Sequence, residues 1–191
     1  ARIVRPVSGS PRIRMSLRVG KDWGGRAERT VGSNHIRYLM SELTLRLTTD
    51  APVGRVRDEQ WFRLERPLHF FLGPDEGFVG HVGETVATMR DRTINEWRHW
   101  TRGLATPLEW QSVVIRSAIT LKLCQHEETG AIVAALTTSL PEHANSGRNW
   151  DYRYCWIRDA YYTVQALNRL GALDVLEGYL EYLRNIVDGA R

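Results

Sequence analysis

The hydrophobic pattern changes period near residue 84, and this change constrains the fold more than any other feature of the sequence. Before it, apolar and polar residues alternate in 13–19, 42–48 and 62–65, and Leu68-His69-Phe70-Phe71-Leu72 follows the last of these. Alternation with a period of two predicts strands with one buried face. Several short strands with regular turns predict a β-sandwich, complete or partial, over residues 1–83. The predicted turns are Gly24-Gly25, Gly32-Ser33-Asn34, Asp50-Ala51-Pro52 and Gly73-Pro74-Asp75.

After residue 84 the apolar residues recur at helical spacing, which predicts a helix over residues 84–103. The sequence Thr106-Pro107-Leu108-Glu109 has the pattern of a capping box with proline in the first turn, so it predicts a second helix start. That helix is apolar most of the way round and is therefore expected to be well buried. It should end near Thr129-Gly130.

Two more helices are predicted beyond residue 150. The first should begin close to Trp156 and end at Leu170, with Gly171 as its stop. The second should run from about Asp174 to Val187. An apolar stripe is expected along this last helix, formed by Leu176, Leu180, Leu183 and Val187.

Composition and charge exclude several classes of protein. No stretch approaches about 18 consecutive apolar residues, so no membrane span is expected. The net charge is +4, but no run of about five to eight basic residues occurs, so nucleic acid is not an expected partner. Neither a cofactor nor a metal is expected, since Cys124 and Cys155 form no CxxC pair and have no histidine at ligand spacing.

Both cysteines lie in apolar segments and are predicted to be buried free thiols. Unpaired thiols and the lack of an apolar leader favour a cytoplasmic location. The sequence does not begin with Met and starts directly in strand-like residues. We therefore expect the chain to be part of a longer protein, whose oligomeric state the sequence does not indicate.

The segment Asn149–Asp159, with the sequence NWDYRYCWIRD, combines aromatic and charged side chains at the predicted start of a helix. Arg158 and Asp159 offer donors and acceptors, which suits sugar hydroxyls because each hydroxyl both donates and accepts. Tyr152 or Trp156 can supply an apolar wall on which a sugar ring stacks. The alternative is a structural salt bridge with aromatic packing, and the residues alone favour neither interpretation.

This segment resembles the bacterial members of glycoside hydrolase family 15, which include glucoamylases, glucodextranases and bacterial trehalases. Tyr152, Trp156, Arg158 and Asp159 match the family positions that hold the terminal glucose. The resemblance covers residues 97–187, while the strand half is similar only in type. Other matching motifs follow in family order, namely Trp97-Arg98-His99-Trp100, Arg116-Ser117-Ala118, and 130–142.

The resemblance implies a multidomain protein in which a β domain is followed by an α domain. Residues 1–83 would form the β-sandwich, 84–103 a linker helix, and 104–191 the first helices of an (α/α)6 barrel. It also implies exo-acting, inverting hydrolysis that releases glucose from an α-glucoside, either trehalose or an α-glucan. The segment 137–142 is most similar to the trehalase-like branch.

In the family, both catalytic glutamates lie downstream of the Arg-Asp motif, at positions that this chain does not contain. Glu142, Glu177 and Glu181 match no catalytic motif; we interpret Glu142 as a loop hydrogen-bonding group and the other two as a solvated helix face. The chain is therefore expected to be an inactive fragment of the enzyme. The alternative is a non-catalytic carbohydrate-binding or assembly module built from the sandwich.

Overall fold

The computed structural model describes residues 1–21 and 25–190, so Gly24 of the first predicted turn lies outside the described residues. The chain divides into two compact units, Ala1–Glu96 and Trp97–Arg191. The first is built mainly of strands and the second of helices. The order of β structure followed by α structure is therefore as predicted.

The strands of the first unit are β1 (Arg2–Val4), β2 (Arg12–Ile13), β3 (Gly20–Lys21), β4 (Gly25–Arg26), β5 (Glu28–Val31), β6 (His35–Leu39), β7 (Thr44–Thr49), β8 (Phe62–Arg63) and β9 (Leu68–Pro74). A five-stranded antiparallel sheet forms the centre of this unit, with the strand order β1-β9-β7-β6-β5. Two smaller sheets pair β2 with β8 and β3 with β4, and a short helix, α1 (Val53–Arg57), follows β7.

The predicted strands at 42–48, 62–65 and 68–72 correspond to β7, β8 and β9. The strand predicted over 13–19 is wrong as a hydrogen-bonded strand, because only Arg12–Ile13 forms a ladder. The side chains of this segment nevertheless alternate in burial. The apolar side chains of Met15, Leu17 and Val19 pack against the core, while those of residues 16 and 18 are exposed. Residues 14–19 belong to no strand.

The turn predicted at Gly73-Pro74-Asp75 is also wrong. Gly73 and Pro74 belong to β9, where they pair with Arg46 and Leu45 of β7. Beyond Phe70, β9 has no pairing with β1, so Pro74 lies on a strand end with one open side. A proline is tolerated there because its missing N–H leaves no ladder bond unmade.

Asp50 ties the end of β7 to the start of β9. Its carboxylate accepts a hydrogen bond from the backbone N–H of His69 (2.7 Å) and pairs with His69 Nδ1 (2.8 Å). A third bond comes from Arg66 Nη1 at 3.2 Å. Burial acts to raise the pKa of Asp50, but the hydrogen bonds from His69 and Arg66 outweigh it and hold the pKa below its ordinary value.

We expect Asp50→Asn to lower the free energy of unfolding at pH 7 by about 1–3 kcal/mol, since hydrogen bonds to a charged acceptor are lost. The folded-state pKa is depressed, so the carboxylate stabilises the fold above its unfolded pKa of about 4. This contribution is lost as the pH falls through the folded-state pKa. Urea denaturation from about pH 7 down to pH 2 should therefore show a steeper acid loss in the wild type than in Asp50→Asn.

The matched control is Asp91→Asn, which removes an exposed carboxylate paired with Arg90 at 2.7 Å. Exposed ion pairs contribute little to stability, so the free energy of unfolding of this variant should match that of the wild type at each pH. An Asp50→Asn protein with unchanged stability and the same acid dependence as the wild type would contradict the assigned role of Asp50.

The second unit is built around helices α3 (Gln111–Lys122), α4 (Ile157–Arg169) and α5 (Leu173–Gly189). A further helix, α2 (Val82–Arg102), lies where the sequence predicts one over 84–103, and it crosses the boundary between the units. The bounds of α4 and α5 confirm the predicted helices. None of the helices in the described part of the chain combines the length and the hydropathy of a membrane span.

The predicted start of α3 at Thr106 is wrong, because the helix begins at Gln111 with Trp110 as its N-cap. Ala105 instead donates its N–H to the carbonyl of Leu170 (2.9 Å), and Thr106 donates to Leu104 (3.0 Å). These bonds hold the backbone in a non-helical path where the capping box would have formed. A tertiary contact therefore overrides a local helix signal.

The expectation that α3 is well buried is wrong as well. Ala118 is its one buried residue, and Trp110 and Val113 are 75% and 57% exposed. On α5, Leu180 and Val187 of the predicted stripe are exposed, whereas Leu176 and Leu183 pack partly against the core. The buried face is centred one position earlier, on Val175 and Tyr179, which are four residues apart on one face.

Ile132, Ala160, Leu167 and Val175 are fully buried at the centre of the second unit. Ile132 comes from the segment after α3, and the others come from α4 and α5. Near this core, Gly130 has a positive φ of 76°, and a Cβ there would overlap the carbonyl group of Gly178. Two glycines therefore allow the segment before Ile132 to lie directly against α5.

Gly130→Ala should destabilise the second unit by more than Gly171→Ala. Both glycines have positive φ, at 76° and 79°, so both substitutions carry a backbone cost of about 1–2 kcal/mol. A Cβ at Gly171 meets no atom within 4 Å, whereas a Cβ at Gly130 meets backbone. The expected total for Gly130→Ala is about 3 kcal/mol or more. Thermal and urea denaturation of both variants will measure this, and equal losses would contradict the close approach.

Candidate functional site

The segment 149–159 is positioned through backbone hydrogen bonds to the extended residues after Ile132. Ala134 and Ala135 donate their N–H groups to the carbonyls of Tyr154 (3.2 Å) and Tyr152 (3.1 Å). Tyr152 donates in turn to Thr137 at 3.0 Å. Burial of Ile132 thus fixes the residues that follow it, and their backbone hydrogen bonds in turn position the segment 149–159.

Trp156 occupies the N-cap of α4 in an extended conformation, with φ −93° and ψ 123°. Its carbonyl accepts the N–H of Ala160 (2.9 Å), which closes the first helical turn. No side chain caps this end of α4 in the described part of the chain. The first N–H groups of the helix therefore keep their donor capacity. Asp159 lies in this first turn, where the helix dipole favours a negative charge.

Trp156, Arg158 and Asp159 come together at this helix start. The Arg158 guanidinium lies 5.9 Å from the centroid of the Trp156 ring, a cation–π distance. Arg158 Nη2 is 3.4 Å from Asp159 Oδ2, with side-chain exposures of 71% and 35%. This distance is long for a charged pair, in which such bonds are typically about 2.7–2.9 Å. The two charged groups are therefore close together but only loosely bonded.

A neighbouring pair, Asp151 and Arg153, is bonded much more firmly. Arg153 donates from Nε (3.1 Å) and Nη2 (3.0 Å) to the two carboxylate oxygens, and its backbone N–H adds a bond of 3.0 Å. The Arg153 side chain and then its backbone N–H hold the pKa of Asp151 below its ordinary value. Asp151 and Arg153 therefore satisfy each other's hydrogen-bonding groups. Arg158 and Asp159 retain the capacity to form hydrogen bonds with another group.

Tyr152, the fourth predicted site residue, is half-buried on the extended segment. No hydrogen bond, ion pair or ring contact joins it to the other three within the described residues. Glu142 lies 3.8 Å from Arg148 in an exposed ion pair, and its N–H donates to the Arg148 carbonyl (3.0 Å). Glu177 and Glu181 are exposed on α5. In the part described, no three or more His, Cys, Asp or Glu side chains gather as metal ligands.

Sequence reasoning missed a contact between the segment and α5. Cys155 lies beside Tyr179 and Tyr182, whose rings stack with centroids 6.1 Å apart. Burial raises the pKa of Tyr179, and the neighbouring Cys155 raises it further. The spacing of 24 residues or more along the chain carries no local signal for this contact. Cys155 and Cys124 are free thiols, as predicted, but they are only partly buried, so the prediction that they are buried is wrong.

Tyr179→Phe should keep or raise the stability of the protein. The Tyr179 hydroxyl is buried and has no hydrogen-bond partner within the described residues. Removing an unsatisfied buried polar group recovers part of a desolvation penalty of about 1–3 kcal/mol. The control is Tyr161→Phe, because the exposed Tyr161 hydroxyl accepts a bond from Gln165 at 2.7 Å. A clear loss of thermal stability in Tyr179→Phe alone would reveal a bond made by this hydroxyl.

The comparisons with family models and with curated proteins agree with each other. Residues 110–190 match the model of glycosyl hydrolases family 15. The chain is 36% identical to a trehalase of Thermoplasma volcanium, over 70% of this chain and 21% of that protein. It is 32% identical to a trehalase of Mycolicibacterium smegmatis, over 97% of this chain and 30% of that protein. No solved structure matches the chain significantly.

Residues 110–190, the part of the chain that contains the candidate site, belong to glycosyl hydrolases family 15. The match to the Mycolicibacterium smegmatis trehalase also includes the strand half, which the sequence alone relates to the family only in type. The chain spans less than a third of the length of these two curated relatives.

Proposed function

We propose that this chain carries the glucose-holding part of an α-glucoside hydrolase, with trehalose as its substrate. The family match over 110–190 supports the enzyme class. The names of the curated relatives, all of which are trehalases, support trehalose over maltodextrin. The observation that carries the site assignment is the loose, exposed pair of Arg158 and Asp159 beside Trp156 at the start of α4.

The chemistry of these three side chains suits a terminal glucose. The guanidinium of Arg158 presents a planar fork of donors, and the Asp159 carboxylate accepts from hydroxyl groups. The Trp156 side chain, 43% exposed, offers an apolar face for the sugar ring. Because the Arg158–Asp159 bond is long, sugar hydroxyls can replace it at low cost. Tyr152 would contribute from the neighbouring extended segment.

We further propose that the helical unit is the start of an (α/α)6 barrel running from residue 104, preceded by a linker helix over 84–103 and a β-sandwich over 1–83. The packing of α4 against α5 across the short connection at Leu170–Ala172 supports a barrel of antiparallel helices. The proposed reaction is inverting hydrolysis, in which one carboxylic acid protonates the leaving oxygen and one carboxylate activates water. Both of these groups would lie outside this chain.

The site assignment is tested by trehalose binding to the purified chain. Arg158→Ala and Asp159→Asn should each weaken binding about tenfold or more, because each removes a charge-assisted hydrogen bond. Arg184→Ala is the matched control, since Arg184 is also exposed and lies 3.4 Å from its partner Glu181. Isothermal titration measures the dissociation constants, and an equal effect of all three substitutions would contradict the site.

The proposed division of roles predicts that this chain alone has no hydrolytic activity. Trehalose, maltose and p-nitrophenyl α-glucoside should all remain uncleaved, although the chain binds trehalose. Glucose release is followed by a coupled assay and nitrophenol by absorbance. Turnover that is lost in Asp159→Asn or Glu142→Gln would show that a catalytic carboxylate lies within these 191 residues.

A further inference from the structure

A cluster of charged and polar side chains lies on one face of the central sheet of the first unit. His35 and Arg37 flank the buried Ile36 on β6, so their side chains lie on the other face of the sheet from Ile36. Arg46 on β7 is directly opposite Arg37. Asp75 directly follows β9 and pairs with Arg37. The register of the sheet therefore brings together side chains from three separate segments.

The two carboxylate oxygens of Asp75 have different surroundings. Oδ2 accepts a hydrogen bond from Arg37 Nε at 2.8 Å and also pairs with Arg37 Nη2. Oδ1 is buried and has no hydrogen-bond partner within the described residues. Arg46 Nη1 lies 3.7 Å from Oδ1, which is beyond hydrogen-bond distance. A buried acceptor without a donor is unfavourable, so a small movement of Arg46 toward Oδ1 would stabilise the carboxylate.

The guanidinium of Arg46 is held away from Asp75 by another acceptor. Its Nη2 lies 3.0 Å from Nδ1 of His35, and its Nε donates to Thr48 Oγ1 at 3.3 Å. Arginine has donors only, so the contact with His35 requires Nδ1 to accept. The imidazole ring is then neutral and carries its proton on Nε2. The bond between Arg46 and His35 therefore exists in only one protonation state of the ring.

The same nitrogen of His35 has a second neighbour that suits the other protonation state. Asn34 Oδ1 lies 3.1 Å from Nδ1. Both nitrogens of a protonated ring are donors, so Nδ1 can then donate to Asn34 but can no longer accept from Arg46. Each protonation state of His35 therefore has its own hydrogen-bond partner at Nδ1.

The charges around the ring determine when it changes state. Burial lowers the pKa of His35, and the charge of Arg46 lowers it further, while Asp75 acts to raise it and Arg37 to lower it. The ordinary pKa of histidine is about 6.5, so the ring is neutral at pH 7. The Arg37 side chain holds the pKa of Asp75 below its ordinary value. We therefore expect acidification to protonate His35 while Asp75 is still charged.

We propose that Arg46 exchanges partners with pH, binding His35 while the ring is neutral and Asp75 once the ring is protonated. The protonated Nδ1 then donates to Asn34, and Arg46 supplies the donor that Asp75 Oδ1 lacks. At low pH two arginines instead of one bind Asp75, so the residues between β9 and α2 are tied to both β6 and β7. This switch lies within the first unit and does not depend on the proposed hydrolase function.

The first test is a pH titration of the whole 191-residue chain followed by NMR. The ring protons of His35 give the midpoint of its protonation. The side-chain nitrogens of Arg46 and the carboxyl carbon of Asp75 should shift with this same midpoint. A ring that stays neutral until the protein unfolds, or Arg46 and Asp75 signals that do not follow its midpoint, overturns the proposal.

Substitutions assign the shifts to the ring of His35. In His35→Asn the side chain remains polar but cannot be protonated in this range, so the shifts of Arg46 and Asp75 should disappear. The matched control is His126→Asn, which removes an exposed histidine of the second unit and should leave the shifts unchanged. Shifts that persist in His35→Asn would show that another group drives them and would overturn the proposal.

A double-mutant cycle measures the new bond itself. Urea denaturation of the wild type, Arg46→Gln, Asp75→Asn and the double variant gives the coupling between Arg46 and Asp75, and effects of other titrating groups cancel. Expressed as a ratio of unfolding equilibrium constants, the coupling should rise by about fivefold or more below the midpoint, because a charged hydrogen bond is gained. Coupling that is equal or weaker below the midpoint overturns the proposal.

Discussion

The close approach of Gly130 to Gly178 determines where the candidate site lies in the helical unit. Without side chains at these two positions, the segment after α3 can lie against α5 and bury Ile132 completely. Burying an aliphatic side chain of this size contributes about 1.5–3 kcal/mol, so the contact fixes the segment firmly. The next residues then hold Tyr152 and Tyr154 through backbone hydrogen bonds.

From Tyr154 the chain has only one residue, Cys155, before α4 begins with Trp156 as its N-cap. Cys155 faces the stacked rings of Tyr179 and Tyr182, so the segment is attached to α5 a second time. The position of Trp156 and of the first turn of α4 therefore follows from packing some distance away. Arg158 and Asp159 receive a fixed backbone, while their side chains remain exposed and loosely paired. That combination suits a binding site, because orientation is set before the ligand arrives.

Local sequence patterns were sufficient for part of this fold. Alternation predicts β7 and β9, and helical periodicity with Gly171 as a stop predicts α4 and α5. The start of α3 could not be predicted, since the bond from Ala105 to Leu170 joins residues 65 positions apart. The pairing of β1 could not be predicted for the same reason, because its partner β9 begins at Leu68.

The candidate site shows the same division between local and distant information. Family resemblance indicates which residues of 149–159 to examine, and the helix start at Trp156 is visible in the sequence. Nothing local distinguishes the firmly bonded Asp151 and Arg153 from the loosely bonded Arg158 and Asp159, because both are Asp and Arg within two residues.

The central claim is that glucose is held at the start of α4. Backbone amide chemical shifts of the labelled chain, followed by NMR during titration with trehalose, test this most directly. The account predicts that saturable shifts centre on the amides of 152–160, with smaller changes at 134–137. Shifts that centre instead on residues 1–96 would contradict it and would support a carbohydrate-binding module in the strand unit.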